Sequence, residues 1–150
     1  MQLESRWLGI VNYEEQDMIS FPEGIPGFED EKIFVVVPAD QESLFAYLQS
    51  INDPDVCLVL TNPFIFFSDY GVELPDEELI RLGNPGAIER IATFTVVNVA
   101  EDFKASTTNL MAPIVINTDK KIGLQFIPTS SDYTTKHQLF PAPAAKVGGK

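Results

Sequence analysis

The stretch 53-DPDVCLVLTNPFIFFSDYGVELPDEE-78 decides how the chain folds, because an apolar run gives way within 26 residues to an acidic, helix-forming segment. Val56–Leu60 is apolar at odd and even positions alike, which predicts a strand with both faces buried. Asn62 and Pro63 end this run, since proline restricts φ and has no backbone N–H to donate. The stretch contains no His, Lys or Arg, so it is poor material for an active site.

The end of this stretch begins the one helix that the sequence predicts. Asp76, Glu77 and Glu78 follow Pro75 and occupy the first turn, where the helix dipole favours negative charge. Arg81 lies near the other end, and Gly83 is placed to stop the helix in a left-handed conformation. We therefore expect one short helix near residues 76–82.

The rest of the chain reads as short strands separated by turn residues. Lys32–Pro38 is a β-branched run, Phe45–Ile51 alternates in polarity, and Ile88–Val99 is rich in valine. Turns recur every 8–12 residues or so, a spacing typical of antiparallel β proteins. The sequence predicts a mostly β fold, a single-domain antiparallel β-barrel or sandwich over residues 1–140, with a flexible C-terminal tail over residues 141–150.

Charge is distributed unevenly along the chain, whose net charge is −12. Residues 1–78 carry 17 acidic and two basic residues, hence −15, whereas residues 79–150 carry five acidic and eight basic residues, hence +3. We expect no direct contact with nucleic acid, because such binding depends on Lys and Arg contacts to phosphate. A basic protein partner would be attracted and steered. The alternative is that the acidity only keeps the protein in solution.

Residues that could carry chemistry are few. His137 is the only histidine and Cys57 the only cysteine, so a zinc site, which usually draws on several such ligands, is not indicated. Asp53 and Asp55 could be paired acids, but the sequence Asn-Asp-Pro-Asp favours a turn. We expect neither a metal nor a cofactor. A hydrolase using Cys57 stays an alternative, although an apolar strand favours a buried, unreactive thiol.

The aromatic run Phe64–Phe67 allows two interpretations. Its rings could belong to the core, or some could lie in an exposed patch bordered by acidic residues, which would indicate a docking site. Four consecutive large apolar residues cannot all face inward on a half-exposed strand, since side chains alternate between the two faces. At least one of them is therefore free to face a partner.

Five blocks of sequence together resemble the FliW family of flagellar assembly factors. They occur in order as FPEGIPGFED (21–30), LQSINDPD (48–55), NPFIFFSDYGVELPDE (62–77), NLMAPIVINTDKKIGLQ (109–125) and DYTTKHQL (132–139). The resemblance spans residues 2 to about 139. One departure is Lys136, where the family usually carries Arg before the histidine; lysine offers a point charge without the two-pronged guanidinium.

The resemblance implies a small, non-enzymatic protein of the cytoplasm that binds flagellin before export. It also implies binding to the RNA-binding translational regulator CsrA, which the family antagonises. Accumulating flagellin would occupy the protein, release CsrA and stop flagellin translation, so the mechanism is an exchange of partners. A chaperone for another secreted helical protein is the alternative. One cysteine, no signal peptide and no apolar run of about 20 residues agree with a cytoplasmic protein that does not bind membranes.

We expect partners to contact the turn before the apolar strand, the acidic stretch that follows it and the last block. These candidate residues are Asn52, Asp53, Asp55, Phe66, Asp69, Tyr70, Glu73, Glu77, Lys136 and His137.

Overall fold

The computed structural model describes residues 1–42 and 44–140. The strands of this part are β1 (Gln2–Ser5), β2 (Gly9–Asn12), β3 (Ile19–Ser20), β4 (Ile33–Pro38), β5 (Phe45–Ser50), β6 (Cys57–Thr61), β7 (Ile91–Asn98), β8 (Thr107–Thr108), β9 (Ile114–Asn117), β10 (Ile122–Gln125) and β11 (His137–Gln138). The helices are α1 (Pro63–Phe66) and α2 (Asp76–Arg81), and 3₁₀ turns occupy Glu15–Asp17, Ile88–Arg90 and Phe103–Ala105.

Seven strands close into a barrel in the order β7-β6-β5-β4-β3-β10-β9, because β9 pairs back onto β7. Six of the seven neighbouring pairs are antiparallel, and β3 pairs with β10 in parallel. A ring with an odd number of strands cannot alternate direction all the way round, so at least one parallel pair is required. β8 and β11 extend the sheet from β7, and β1 and β2 form a separate antiparallel hairpin.

The barrel interior is filled by alternate side chains of its strands. Phe34, Leu48, Leu60 and Ile114 are fully buried and belong to one apolar cluster with the aromatic ring of Phe21. Their neighbours in sequence point to the outer surface, as the pleat of a strand requires. Burying large apolar side chains like these contributes roughly 1.5–3 kcal/mol each, so the interior is the main source of stability.

A second, smaller apolar cluster lies outside the barrel and holds α2 against it. Leu82 and Val115 are fully buried there, and Leu124 is buried beside them. Val115 and Leu124 face each other across the β9–β10 pair, on the side of the sheet opposite to Ile114. Helix α2 has only six residues, too few to be stable alone. The packing of this cluster provides the stability that so short a helix lacks.

The mostly β barrel that the sequence predicts is confirmed, and so is the helix near residues 76–82, which the structure places at Asp76–Arg81. A second short helix, α1, was not predicted. It forms because Asn62, read as a strand breaker, accepts a hydrogen bond from the Phe64 N–H (3.0 Å) and so caps a helix with proline in its first position. The tail prediction for residues 141–150 lies outside the described residues.

Candidate functional site

A groove of about 840 Å³ opens between α2 and the chain that precedes and follows it; we call it the α2 groove. Its walls are the segment from Tyr70 to Leu74, helix α2 and the loop from Asn84 to Ile88. Its floor is formed by outward-facing residues of β7 and β9, among them Ile91 and Val115. Most of its lining is apolar, and both Phe64 and Ile88 expose much of their side chains there.

Asn117 fixes the position of α2 beside the groove. Its side-chain Nδ2 donates to the carbonyl oxygen of Leu82 (2.7 Å), one residue beyond the end of the helix. Its Oδ1 accepts from the backbone N–H groups of Asp119 (3.0 Å) and Lys120 (3.1 Å), which shapes the β9–β10 turn. Lys120 Nζ adds a 2.6 Å bond to the carbonyl of Gly83. The helix end and the hairpin are thus joined by two polar contacts, a buried one from Asn117 and an exposed one from Lys120.

Tyr70 forms the base of the opposite wall. Its ring is buried, and its hydroxyl donates to the carbonyl oxygen of Leu110 (2.7 Å). The ring of Tyr133 packs edge-on against it, 4.8 Å between centroids. Burial raises the pKa of the Tyr70 hydroxyl, and the nearby Tyr133 raises it further, so the hydroxyl stays a neutral donor. Tyr70 therefore holds the wall and offers a partner only the part of its ring that lines the groove.

Acidic side chains border this part of the surface. Asp69, Glu73 and Glu77, which we call the acidic rim, are exposed and alternate in sequence with residues that line the α2 groove. From residue 69 to residue 89 the chain carries six acidic residues and one basic residue, Arg81. Arg81 lies close to the carboxylates of Glu23 (3.4 Å) and Glu78 (3.6 Å), so its charge is already countered. Of the predicted residues, Tyr70 lines the α2 groove, whereas Asp69 and Glu73 line a neighbouring pocket of about 500 Å³ that shares Tyr70, Gly71 and Val72 with it, and Glu77 lies exposed on α2.

The turn between β5 and β6 forms a separate surface. The backbone N–H groups of Asn52 and Asp53 both donate to Ser50 Oγ (3.1 Å), and Asp53 Oδ1 accepts from the Asp55 N–H (2.9 Å). Asp55 lies 3.7 Å from Arg6 of the hairpin. These hydrogen bonds explain the turn that the sequence predicts here. The side chains of Asn52 and Asp55 are exposed. None of these residues lines the α2 groove.

Lys136 and His137 occupy a third position. Lys136 is exposed, whereas His137 is half-buried, with its ring 6.0 Å from the rings of both Phe67 and Tyr133. His137 Nε2 accepts a hydrogen bond from the Thr134 N–H (2.8 Å). Through Tyr133 the histidine belongs to the same group of aromatic rings as Tyr70.

Phe66 belongs to an aromatic cluster on another part of the outer surface. Its ring packs against Phe45 (5.8 Å) and Phe140 (5.7 Å), and Phe103 contacts both of those rings. Next to this cluster is a cleft of about 630 Å³, the hairpin cleft, lined by residues that include Trp7, Phe45, Tyr47, Cys57 and Phe103. Helix α1 therefore has Phe64 at the α2 groove and Phe66 near the hairpin cleft.

Comparison with known proteins identifies the family. The family model for the FliW protein matches residues 2–139. The chain belongs to the FliW family. It is 46% identical over 140 residues to the flagellar assembly factor FliW of Syntrophomonas wolfei, covering 93% of this chain and 89% of the relative. It is 42% identical over 146 residues to FliW of a Geobacillus species, covering 97% of this chain and all of the relative.

The fold agrees with a FliW structure. The chain superposes on a crystal structure of the flagellar assembly factor FliW with a TM-score of 0.88 and 39% identity, covering 95% of this chain and 99% of that chain. The FliW resemblance that the sequence indicates is confirmed. Among the residues that the structure describes, no helix has the length and apolar character needed to cross a membrane.

Cys57 and His137, the only cysteine and histidine of this FliW-family chain, do not line a common cleft in the part of the chain that the structure describes. Cys57 is half-buried at the hairpin cleft rather than inside the barrel, because the pleat turns Leu58 and Leu60 inward and Cys57 outward. Burial raises the pKa of its thiol to about 11, so at neutral pH it is almost entirely protonated. His137 does not line the hairpin cleft. Residues 1–42 and 44–140 hold no group of three or more potential metal ligands.

Apart from Tyr70 and the aromatic run that contains Phe64, sequence reasoning missed the residues that line the α2 groove of this FliW-family chain. Val72 and Leu74 lie on either side of the acidic Glu73, and Ile88 follows the helix-breaking sequence Asn84-Pro85-Gly86. Apolar residues within a polar, glycine-rich loop could have indicated these positions, because a loop that lies only in solvent does not require apolar side chains. Their convergence depends on β7 and β9 being neighbours, which no local pattern indicates.

Proposed function

We propose that this FliW-family protein acts in the cytoplasm as a non-enzymatic binding protein with two partners, flagellin and the translational regulator CsrA. It binds flagellin before export, and it binds CsrA in a way that keeps CsrA from repressing flagellin synthesis. Membership of a family whose relatives carry the name flagellar assembly factor supports a flagellar partner.

The observation that carries the proposal is the α2 groove with its acidic rim. The groove offers exposed apolar side chains; Asp69 and Glu73 are exposed carboxylates in the adjoining pocket that shares Tyr70 and Val72, and Glu77 is exposed on α2. Such a combination of apolar surface and peripheral charge is typical of protein-docking sites. A regulator that binds RNA presents basic surface, and an acidic protein surface attracts it and raises the rate of association.

The proposed mechanism is an exchange of partners. While flagellin is scarce, the protein holds CsrA and the flagellin message is translated. When flagellin accumulates, it occupies the protein and CsrA is released to stop translation. Because each state is an equilibrium between complexes, the switch needs neither a cofactor nor a covalent step.

Co-purification of the full chain with flagellin and with CsrA at moderate salt tests the proposal. We expect each partner to be retained at micromolar concentration. If neither is retained, the proposal is wrong.

A matched pair of charge-reversal variants then tests the acidic rim. The first variant changes Asp69, Glu73 and Glu77 to Lys. The second changes Glu4, Glu42 and Glu101, which are also exposed but do not line the α2 groove, to Lys. Both variants change the net charge by the same amount, so an effect of overall charge on the association rate would be equal in the two. We expect only the rim variant to slow association with CsrA, and equal effects would assign the attraction to overall charge.

A further inference from the structure

We propose that the free edge of strand β2 binds an extended, basic segment of a partner protein, which adds to the β1–β2 hairpin as a third strand. This surface lies apart from the α2 groove, whose lining contains no residue of the hairpin. The inference goes beyond the proposed function and does not depend on it.

The first support is that β2 has backbone hydrogen-bonding groups without a partner. Met1 and Tyr13 exchange two hydrogen bonds of 2.9 Å, and such bonded pairs alternate with unbonded pairs along an antiparallel ladder. The N–H and C=O groups of Ile10 and Asn12 therefore point away from β1, and within residues 1–42 and 44–140 none of them has a partner. Groups of this kind select an extended peptide, because a helix already bonds its own backbone.

The second support is that the opposite edge of the hairpin is already in contact with the barrel. Directly after β1 the Arg6 N–H donates to the Pro54 carbonyl oxygen (2.9 Å), and Trp7 Nε1 donates to the carbonyl oxygen of Asp55 (3.4 Å). A strand added to β1 would meet this turn, so the edge open to a partner is that of β2. Edge strands that stay unpaired commonly carry lysine, another charged residue or proline. The sequence of β2, Gly-Ile-Val-Asn, contains none of these.

The side chains around this edge determine the chemistry of the bound segment. Ile10 is 58% exposed, so an apolar residue of the added strand would cover it. Glu4 is exposed opposite Ile10 on β1. Three more exposed carboxylates follow β2 in sequence, those of Glu14, Glu15 and Asp17. Lysine or arginine in the bound segment would be attracted to these carboxylates.

Charge also favours a partner protein over a second copy of this chain. Arg6 is the only basic residue before Lys32, and it already lies 3.7 Å from the carboxylate of Asp55. Two copies paired through β2 would bring their acidic segments together, and each copy carries a net charge of −12. A basic segment has the opposite effect, since complementary charge raises the rate of association.

A designed peptide tests the proposal on the full chain. The probe has about nine residues of alternating valine and lysine, and its control has the same sequence with every backbone nitrogen methylated. Methylation keeps the charge and the side chains but removes the backbone donors, so attraction by charge alone would affect the two peptides alike. At physiological salt we expect the probe to shift the amide NMR signals of Ile10 and Asn12 most, and the methylated peptide to leave them in place. Equal shifts with both peptides, or the largest shifts outside the hairpin, would overturn the proposal.

A matched pair of proline variants then locates the edge. Asn12→Pro removes the outward N–H of β2, and Gln2→Pro removes the outward N–H of the residue paired with it on β1. Neither N–H takes part in the β1–β2 ladder, so both hairpins should form, and amide NMR spectra check this. We expect Asn12→Pro to weaken binding of the probe roughly five-fold, the effect of one hydrogen bond, and Gln2→Pro to stay within about two-fold of the parent. Equal weakening by the two variants would contradict the assignment to β2.

Sedimentation at rising protein concentration tests the other occupant, a second copy of the chain. We expect no dimer that depends on β2. A dimer that Asn12→Pro abolishes would show that a second copy occupies the edge, and the assignment of the occupant would be wrong. An absence of NMR shifts with about 1 mM probe would overturn the proposal as a whole. Because neither flagellin nor CsrA enters these experiments, their outcome is independent of the proposed function.

Discussion

Replacing Asn117 by alanine should destabilise the protein more than any other change to a single polar side chain discussed above. The residue is 1% exposed, and its side chain joins the end of α2 to the β9–β10 turn. Alanine cannot donate to the Leu82 carbonyl or accept from the two turn N–H groups. The buried carbonyl is left without this donor, and no water can replace it without entering the apolar cluster around Leu82 and Val115.

The expected magnitude follows from the number of contacts. Three hydrogen bonds at 2.7, 3.0 and 3.1 Å are lost. Each contributes about 1 kcal/mol net, so the free energy of unfolding should fall by about 3 kcal/mol. For a chain of this length such a loss corresponds to a melting temperature lower by roughly 10 °C.

Urea unfolding followed by tryptophan fluorescence and circular dichroism measures this change. The matched control is Asn98→Ala, because Asn98 is an exposed asparagine whose side chain makes only a long, 3.5 Å contact with Thr107. We expect less than about 0.5 kcal/mol for the control. A loss below about 1 kcal/mol for Asn117→Ala would refute the reasoning that these bonds anchor α2.

Four further predictions concern the glycine loop, the thiol and the groove wall. Gly24→Ala should cost more in unfolding free energy than Gly9→Ala, because both have positive φ but a Cβ at Gly24 would lie 2.6 Å from the Glu29 carbonyl oxygen, whereas Gly9 faces open space; equal melting temperatures would contradict this. Cys57 should react with a thiol reagent at pH 8 about 100-fold more slowly in the folded than in the urea-unfolded protein, since folding raises its pKa from 9.0 to about 11. For the same reason the free energy of unfolding, measured in urea, should fall as pH rises from about 9 towards 11, because the thiol of Cys57 loses its proton at lower pH in the unfolded chain than in the folded one. A free energy of unfolding that increases over this pH range would contradict the prediction. Tyr70→Phe should lower the unfolding free energy by about 1–2 kcal/mol, since the buried carbonyl that the hydroxyl serves loses its donor; an unchanged urea midpoint would contradict this.

The sequence predicted those elements whose signals are local. Strands β4 and β5 follow from β-branched and alternating residues between proline and turn residues, and α2 follows from its acidic first turn and the glycine after its end. Helix α1 was missed because Asn62 and Pro63 both end a strand and begin a helix, and a run of aromatic residues is not a helix signal.

The candidate site was predicted only in part, for a physical reason. The acidic rim and Tyr70 lie within one stretch, so composition alone drew attention to them. The groove itself is formed when β7 and β9 pair and α2 packs on them, bringing Phe64, Ile88 and Val115 together from distant parts of the chain. The formation of this groove depends on the order of strands in the barrel, which the pattern of polar and apolar residues does not determine.

Competition between the two proposed partners is the most direct test of partner exchange. Fluorescently labelled CsrA is bound to the full chain, monomeric flagellin is added in increasing amounts, and fluorescence anisotropy reports the fraction of CsrA that remains bound. We expect anisotropy to fall to the value of free CsrA as flagellin saturates the protein. Anisotropy that stays high or rises, with a complex of all three proteins on a sizing column, would contradict the exchange of partners.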